Sequence, residues 1–124
     1  MAAEKSTRVR RVSEAVKVEL ATLLARAVKD PRAAGVIVSR VEMAGDLKSA
    51  RVYVRLLEGG ADEERRATAL AALGHAAGLF RREVTRRLGL RHAPVFRFEY
   101  DAGVEHSTRI ESLLAEIEAE RRSR

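Results

Sequence analysis

The chain has 124 residues, of which 46% are hydrophobic and 34% charged, as expected for one folded domain with a charged surface. It has no cysteine and its three histidines have no paired spacing, so we expect no disulfide, metal or other cofactor. No run approaches the ~18 apolar residues of a membrane span, and the N-terminus lacks the apolar core of a secretory signal, so we expect a cytoplasmic protein.

The first predicted element is an amphipathic helix over about residues 7–28. Its apolar residues recur at spacings of three and four, which is the period of a helix that buries one face. Pro31 disfavours helical backbone at Asp30 and ends the helix there. The apolar residues are Val12, Val16, Leu20, Leu23, Leu24, Ala27 and Val28.

Two strands rich in β-branched residues follow, VIVSRVEM and SARVYVRLL, separated by the turn-like AGDLK. Their alternation predicts an antiparallel hairpin with one apolar and one charged face. The apolar face is expected to hold Ile37, Val41, Met43, Ala50, Val52, Val54 and Leu56. The other face holds Arg40, Glu42, Arg51, Tyr53 and Arg55, and cross-strand ion pairs account for its charges.

A helix capped by Asp62 is predicted next, and it contains Gly74 and Gly78, which each cost about 1 kcal/mol relative to alanine. We therefore expect a kink between two helices at Ala76, Ala77 and Gly78, with the second helix ending at Gly89. Two compatible explanations of Gly78 are open: a side chain would clash where the helices meet, and glycine lets the backbone of a ligand come close. The first predicts that Gly78→Val lowers the free energy of unfolding by about 2 kcal/mol or more.

The segment PVFRFEY alternates as a third strand, and a last amphipathic helix follows a capping box formed by Thr108 and Glu111. The element order is therefore α-β-β-α-kink-α-β-α. Because a helical crossover joins the second and third strands, those strands should be parallel. This order predicts an α+β fold with a three-stranded sheet and its helices on one face. The inward residues of the third strand and the last helix are Phe96, Phe98, Tyr100, Ile110, Leu113, Leu114 and Ile117.

The formal charge of +6 is unevenly distributed along the chain. Residues 5–11 and 81–97 are strongly basic, whereas residues 99–120 are acidic, so one side of the surface should attract a polyanion. Glu83 is expected to pair with Arg87, four residues later. The candidate RNA-binding residues are Arg8, Arg10, Arg11, Arg81, Arg82, Arg86 and Arg91.

The element order matches the type II KH fold, and several segments resemble the ribosome-binding factor A family. These segments are KDPR at 29–32, VEMAGDLKSARVYV at 41–54, HAAGLFRREVTRRLGLRHAPVFRFEYD at 75–101 and RIESLLAEI at 109–117. The resemblance implies that an A-x-G kink at Ala76–Gly78 replaces the GxxG loop with which KH domains clamp a single strand. It also implies one KH-like domain over residues 1–124, with an ordered core of about 7–118 and flexible termini.

In function, the resemblance implies a monomeric assembly factor that binds the immature 30S subunit and its precursor 16S rRNA. Its role would be late maturation and processing of 16S rRNA near the 5′ end, including growth at low temperature. We expect no enzymatic activity, since the chain lacks phosphate-loop and nucleophile-elbow motifs. Two alternatives are a general single-stranded nucleic-acid-binding KH-like protein and a protein-interaction module that uses the acidic C-terminal helix.

Overall fold

The computed structural model describes residues 6–122, except for the side chains of residues 104–112. It follows the predicted element order. Of the termini expected to be flexible outside about 7–118, residues 1–5 and 123–124 lie outside the described residues, whereas α4 continues to Arg122. The elements are α1 (Thr7–Arg26), a 3₁₀ turn (Pro31–Ala33), β1 (Val36–Met43), β2 (Ser49–Leu56), α2 (Glu63–His75), α3 (Ala77–Leu88), β3 (Val95–Tyr100) and α4 (Gly103–Arg122).

The three strands form one mixed sheet in the order β1-β2-β3. β1 pairs antiparallel with β2, and β3 pairs parallel with β2, so that Ser49 lies beside Val95 and Val54 beside Tyr100. The parallel pairing predicted from the helical crossover is confirmed. α2 and α3 form that crossover, and Asp62 caps α2 by accepting a hydrogen bond from the Glu64 amide at 2.9 Å.

A β-bulge at Ser39 changes which residues of β1 face the core. The pairing register shifts between Val38 and Arg40, and the Ser39 hydroxyl donates to the Asp101 carboxylate at 2.8 Å instead of continuing the alternation. Val38 is therefore buried, whereas Ile37 pairs with Arg55 outside the core cluster. The prediction that Ile37 faces the core is wrong, and the predictions for Val41 and Met43 are confirmed.

The core lies between one face of the sheet and the helices α1, α2 and α3. Phe80 and Val84 of α3 are fully buried, and the Phe80 ring centroid lies 5.7 Å from that of Phe98 on β3. The Ser13 hydroxyl of α1 accepts a hydrogen bond from the Met43 amide at 3.3 Å, which joins α1 to β1. The largest fully buried residues are Phe80, Leu20, Met43, Leu73, Val16, Val52, Val54, Val84 and Pro94.

α4 differs from its prediction in both start and packing. It begins at Gly103 rather than near Thr108, so Thr108 lies inside the helix and the predicted capping box is wrong. Leu113, Leu114 and Ile117 are each about half exposed, at 53%, 57% and 49%. The apolar stripe of this helix therefore stays on the surface over residues 113–122, and the side chain of Ile110 lies outside the described residues.

The bulge predicts a difference between two neighbouring residues of β1. Val38→Thr should lower the free energy of unfolding by about 1–3 kcal/mol, because it buries a hydroxyl in the apolar core. Ile37→Thr is the matched control and should cost clearly less, since that side chain lies beside Arg55 and outside the core cluster. Urea unfolding of both variants measures the difference. An equal or larger loss for Ile37→Thr would contradict this register.

Candidate nucleic-acid interface

The kink between α2 and α3 is a single residue, Ala76. α2 ends at His75 and α3 begins at Ala77, while Ala76 has φ −88° and ψ 0°, outside regular helix. Its N–H bonds to the carbonyls of Ala72 and Leu73 at 3.1 Å, and no side chain caps the start of α3. The kink was predicted at Ala76, Ala77 and Gly78, but only Ala76 lies in it, because the other two already belong to α3.

Gly78 is exposed, and the fold itself does not need a glycine there. Its φ is not positive, and a Cβ added to it would meet no heavy atom within 4 Å. Gly74, on the last turn of α2, has the same open surroundings. The explanation that a side chain at Gly78 would clash between the helices is therefore wrong. The space beside the first turn of α3 is open to a partner.

The segment from Asp30 to Ala34 lies against the end of α2, next to the kink. Asp30 accepts hydrogen bonds from the Arg32 guanidinium, at 2.6 Å from Nη2, and this bond together with that from the Arg32 amide lowers the pKa of Asp30 to about 2. The same guanidinium lies 3.1 Å from Nδ1 of His75. Arg65 donates to the carbonyls of Arg32 and Ala34 at 2.9 Å. These bonds hold Arg32 near the kink with its side chain 42% exposed.

The arginines of α3 divide into those held by the fold and one that is not. Arg81 donates from Nε and Nη2 to the carbonyls of Pro94 and Ala93, at 3.1 and 3.2 Å, and so fixes the loop before β3. Arg86 pairs with Glu83 at 2.9 Å, and this bond lowers the pKa of the Glu83 carboxyl.

The two remaining arginines of α3 are Arg87 and Arg82. Arg87 pairs with Glu19 of α1 at 3.6 Å, so the predicted Arg87–Glu83 pair is wrong. Arg82 is exposed and has no ion-pair or hydrogen-bond partner among the described side chains. It is the α3 arginine that no such contact holds, although its charge also acts on the neighbouring Glu83 carboxyl.

The predicted residues of α1 and of the loop after α3 are also available. Arg8, Arg10, Arg11 and Arg91 are exposed, and within the described part of the chain none of them forms an ion pair. Arg8 and Arg91 line one groove of about 580 Å³, into which the turn between β1 and β2 also brings Lys48. We call it the Leu47 groove, after the residue at the tip of that turn. Sequence reasoning missed Lys48, because no sequence pattern shows that this turn lies beside Arg91.

The outer face of the sheet satisfies its own charges only in part, because the ion pair found among its described residues lies within β1 and not across strands, and the buried Nε of Arg55 has no hydrogen-bond partner there. Arg40 lies 3.6 Å from Glu42, and its guanidinium carbon lies 4.1 Å from the centre of the Tyr53 ring. A hydrogen bond with Tyr53, followed by the charge of Glu99, raises the pKa of Arg51. Glu42 and Glu99 therefore offset part of the positive charge of this face.

No helix within residues 6–122 has the length and apolarity needed to cross a membrane. Among the side chains described in residues 6–103 and 113–122, no group of three or more histidine, aspartate or glutamate residues is placed to hold a metal ion.

The element order and the mixed sheet define the class of type II KH-like α+β domains. A family model described as ribosome-binding factor A matches residues 8–114. The chain therefore belongs to the ribosome-binding factor A family. Ribosome-binding factor A of Brevibacillus brevis is 44% identical over 114 residues, covering 92% of each chain. That of Sorangium cellulosum is 48% identical over 110 residues, covering 89% of this chain and 88% of the relative.

Solved structures agree with the family. The crystal structure of ribosome-binding factor A from Thermus thermophilus matches with a TM-score of 0.64 at 27% identity, covering 74% of this chain and 93% of that one. A homology model of the Thermus protein, fitted into a cryo-EM map of a 30S complex, shares the fold with a TM-score of 0.57 at 24% identity. It covers 79% of this chain and 96% of that one.

The open surroundings of Gly78 change the expected effect of substituting it. Gly78→Ala should leave the free energy of unfolding unchanged or raise it by up to about 1 kcal/mol, since alanine is the better helix former and has room. Gly89→Ala is the control. Gly89 has φ +63°, which favours glycine, so this substitution should lower the free energy of unfolding. Thermal or urea unfolding measures both. A loss of about 2 kcal/mol for Gly78→Ala would restore the clash explanation.

Proposed function

We propose that this protein is a ribosome assembly factor that binds the immature 30S subunit through 16S rRNA and stabilises one conformation of that RNA. It acts as a single-domain, cytoplasmic monomer without catalytic activity. Its role is late maturation and processing of 16S rRNA near the 5′ end, including at low temperature. Membership of the ribosome-binding factor A family supports ribosome binding. We propose the 30S subunit as the binding partner because the homology model of the Thermus relative was fitted into a cryo-EM map of a 30S complex.

The observation that carries the proposal is that Gly78 and Arg82 both lie on the first turns of α3. Gly78 leaves open space beside the helix backbone, and Arg82, four residues later on the same helix, has an exposed guanidinium without a described partner. Helix N-termini favour negatively charged groups, and arginine recognises phosphate through several donors. A phosphate of an RNA backbone fits both features.

Unpaired cations elsewhere provide further candidate RNA contacts. Arg8, Arg10 and Arg11 lie within the first five residues of α1, near the end where positive charge is unfavourable for the helix dipole, and the first turn has no acidic residue to offset it. An anionic partner would remove this penalty. Arg81 and Arg86 remain in the proposed interface as secondary contacts, because their guanidinium groups are already bonded to Pro94 and Glu83.

A general single-stranded nucleic-acid binder is the first alternative. A KH domain of that kind clamps about four nucleotides with a GxxG loop between its central helices. Here one residue, Ala76, separates α2 from α3, so there is no loop at that junction to close over a strand. This geometry favours an RNA with its own structure. Free oligonucleotides that bind as tightly as the subunit would support the alternative.

The exposed stripe of α4 favours a second alternative, a protein-interaction module. Leu113, Leu114 and Ile117 are about half exposed on a helix whose described acidic residues include Glu116, Glu118 and Glu120. Complex formation that is insensitive to salt and lost on removing residues 106–124 would support it. RNA binding predicts instead that complex formation is sensitive to salt.

Arg82→Glu should weaken co-sedimentation with precursor-containing 30S subunits by at least about tenfold, because a phosphate contact is replaced by repulsion. The melting temperature should stay nearly unchanged, since Arg82 is exposed and holds no described partner. Arg26→Glu is the matched control: it is an exposed helical arginine at the far end of α1, and the same charge change there should matter much less. If both variants bind equally well, Arg82 does not contact a phosphate and is only a solvated surface residue.

Salt provides an independent measurement of phosphate contacts. The logarithm of the affinity for the subunit should fall linearly with the logarithm of the salt concentration, because bound phosphates release counterions. Arg82→Gln should lower the slope by about 1, as expected for one phosphate contact. The slope is obtained from sedimentation or fluorescence titrations between low and physiological salt. An affinity independent of salt would indicate docking on a ribosomal protein.

A further inference from the structure

The Leu47 groove lies at the opposite end of α3 from the kink. Three segments distant in sequence form it: the start of α1, the turn between β1 and β2, and the residues after α3. Its volume of about 580 Å³ falls within the range of roughly 300–1,000 Å³ typical of pockets for small organic ligands. The groove is therefore large enough for one nucleotide.

The floor of the groove is apolar. Val12 of α1, Leu47 of the turn, and Leu88 and Leu90 at the end of α3 line it, and all four also pack against the core. Leu47 has φ +61°, a backbone conformation that a leucine adopts only at a cost of roughly 1 kcal/mol or more. The turn thus holds a strained leucine at this floor. An apolar floor of this kind suits the flat face of a nucleobase.

The rim of the groove is cationic. Arg8, Lys48 and Arg91 converge on it from the three segments, and His92 adds a ring nitrogen. The only carboxylate in the lining, Asp46, accepts a hydrogen bond from the Lys48 amide at 3.0 Å, so it serves the turn. The three cations are exposed and form no ion pair within the described residues. Such a rim is complementary to a phosphate.

We propose that the Leu47 groove binds one unstacked nucleotide of an RNA strand, with its base on the apolar floor and its phosphate against Arg8, Lys48 and Arg91. Apolar surface and positive charge side by side match a nucleotide better than they match an inorganic anion or an apolar peptide. The inference deepens the proposed function and rests on it, because it assigns a second RNA contact away from Gly78 and Arg82.

Binding of short RNA to the whole protein tests the groove directly. The probes are the four RNA homotrinucleotides, each added separately to nitrogen-15-labelled protein, with the nucleoside monophosphates and inorganic phosphate in parallel. At least one trinucleotide should shift the amide signals of residues 45–48 and 89–92 and should bind more tightly than its monophosphate. If no trinucleotide moves these signals, or if phosphate alone binds as tightly, the proposal is wrong. A monophosphate that binds more tightly than its trinucleotide would indicate a site for free nucleotides and would also overturn it.

A variant that fills the groove without changing charge sharpens the test. A Cβ at Gly45, in the lining, would meet no heavy atom within 4 Å, so Gly45→Leu should fold normally and occupy the space of the base. It should weaken binding of the trinucleotide about tenfold. Val18→Leu, on an exposed part of α1, is the control and should bind as the parent does. Parent-like binding by Gly45→Leu would overturn the proposal.

A double variant that removes positive charge tests the cationic rim of the groove. Lys48→Gln with Arg91→Gln should lower the salt slope of trinucleotide binding by about 0.7, the value for one phosphate of a single strand. Arg26→Gln with Lys29→Gln removes the same charge elsewhere and should leave the slope unchanged.

Subunit binding separates the two proposals. If Gly45→Leu binds 30S subunits like the parent while Arg82→Glu does not, the groove is wrong and the assembly function stands. If the parent itself fails to bind subunits, the proposed function is wrong.

Discussion

The central strand β2 is the constraint on which the rest of the structure depends. Ala50, Val52, Val54 and Leu56 present one continuous buried face, and both neighbouring strands take their register from it. Because β3 runs parallel to β2, the chain must cross the sheet between them, and α2 and α3 form that crossover. Burial of this face therefore determines where the kink and both ends of α3 lie.

Strict alternation made most of this arrangement predictable from sequence. The inward residues of β2 and Phe96 and Phe98 of β3 were predicted correctly, since each strand keeps a period of two without interruption. β1 does not keep this period, because Ser39 forms a bulge and bonds to Asp101, 62 residues away in the chain. A contact so distant in sequence leaves no local pattern. Ile37 was therefore assigned to the wrong face.

The candidate interface can be proposed from sequence as a set of basic segments, but the contacts of its individual residues cannot. The sequence shows the same residue type at Arg81, Arg82 and Arg87, yet the first bonds to Ala93 and Pro94, the second is unpaired and the third pairs with Glu19. The partners of the held arginines lie on other elements, so only the tertiary structure separates structural from available charge. Helical spacing alone favoured the wrong partner for Glu83, since rotamers decide between residues three and four positions away.

The rigidity of α3 links the two proposed RNA contacts. The helix has 12 residues, and about 15 Å along its axis separate Gly78 from Leu88 at the Leu47 groove. Phe80 and Val84 are fully buried in a close-packed core, so a tilt of the helix toward a ligand would disrupt that packing. An RNA that touches both ends must present a phosphate and an unstacked nucleotide at that separation. A conformer with another separation makes only one contact, and the difference in binding free energy shifts the RNA toward the conformer that fits. Folding of the RNA that moves either point then weakens binding, so release needs no chemical step by the protein.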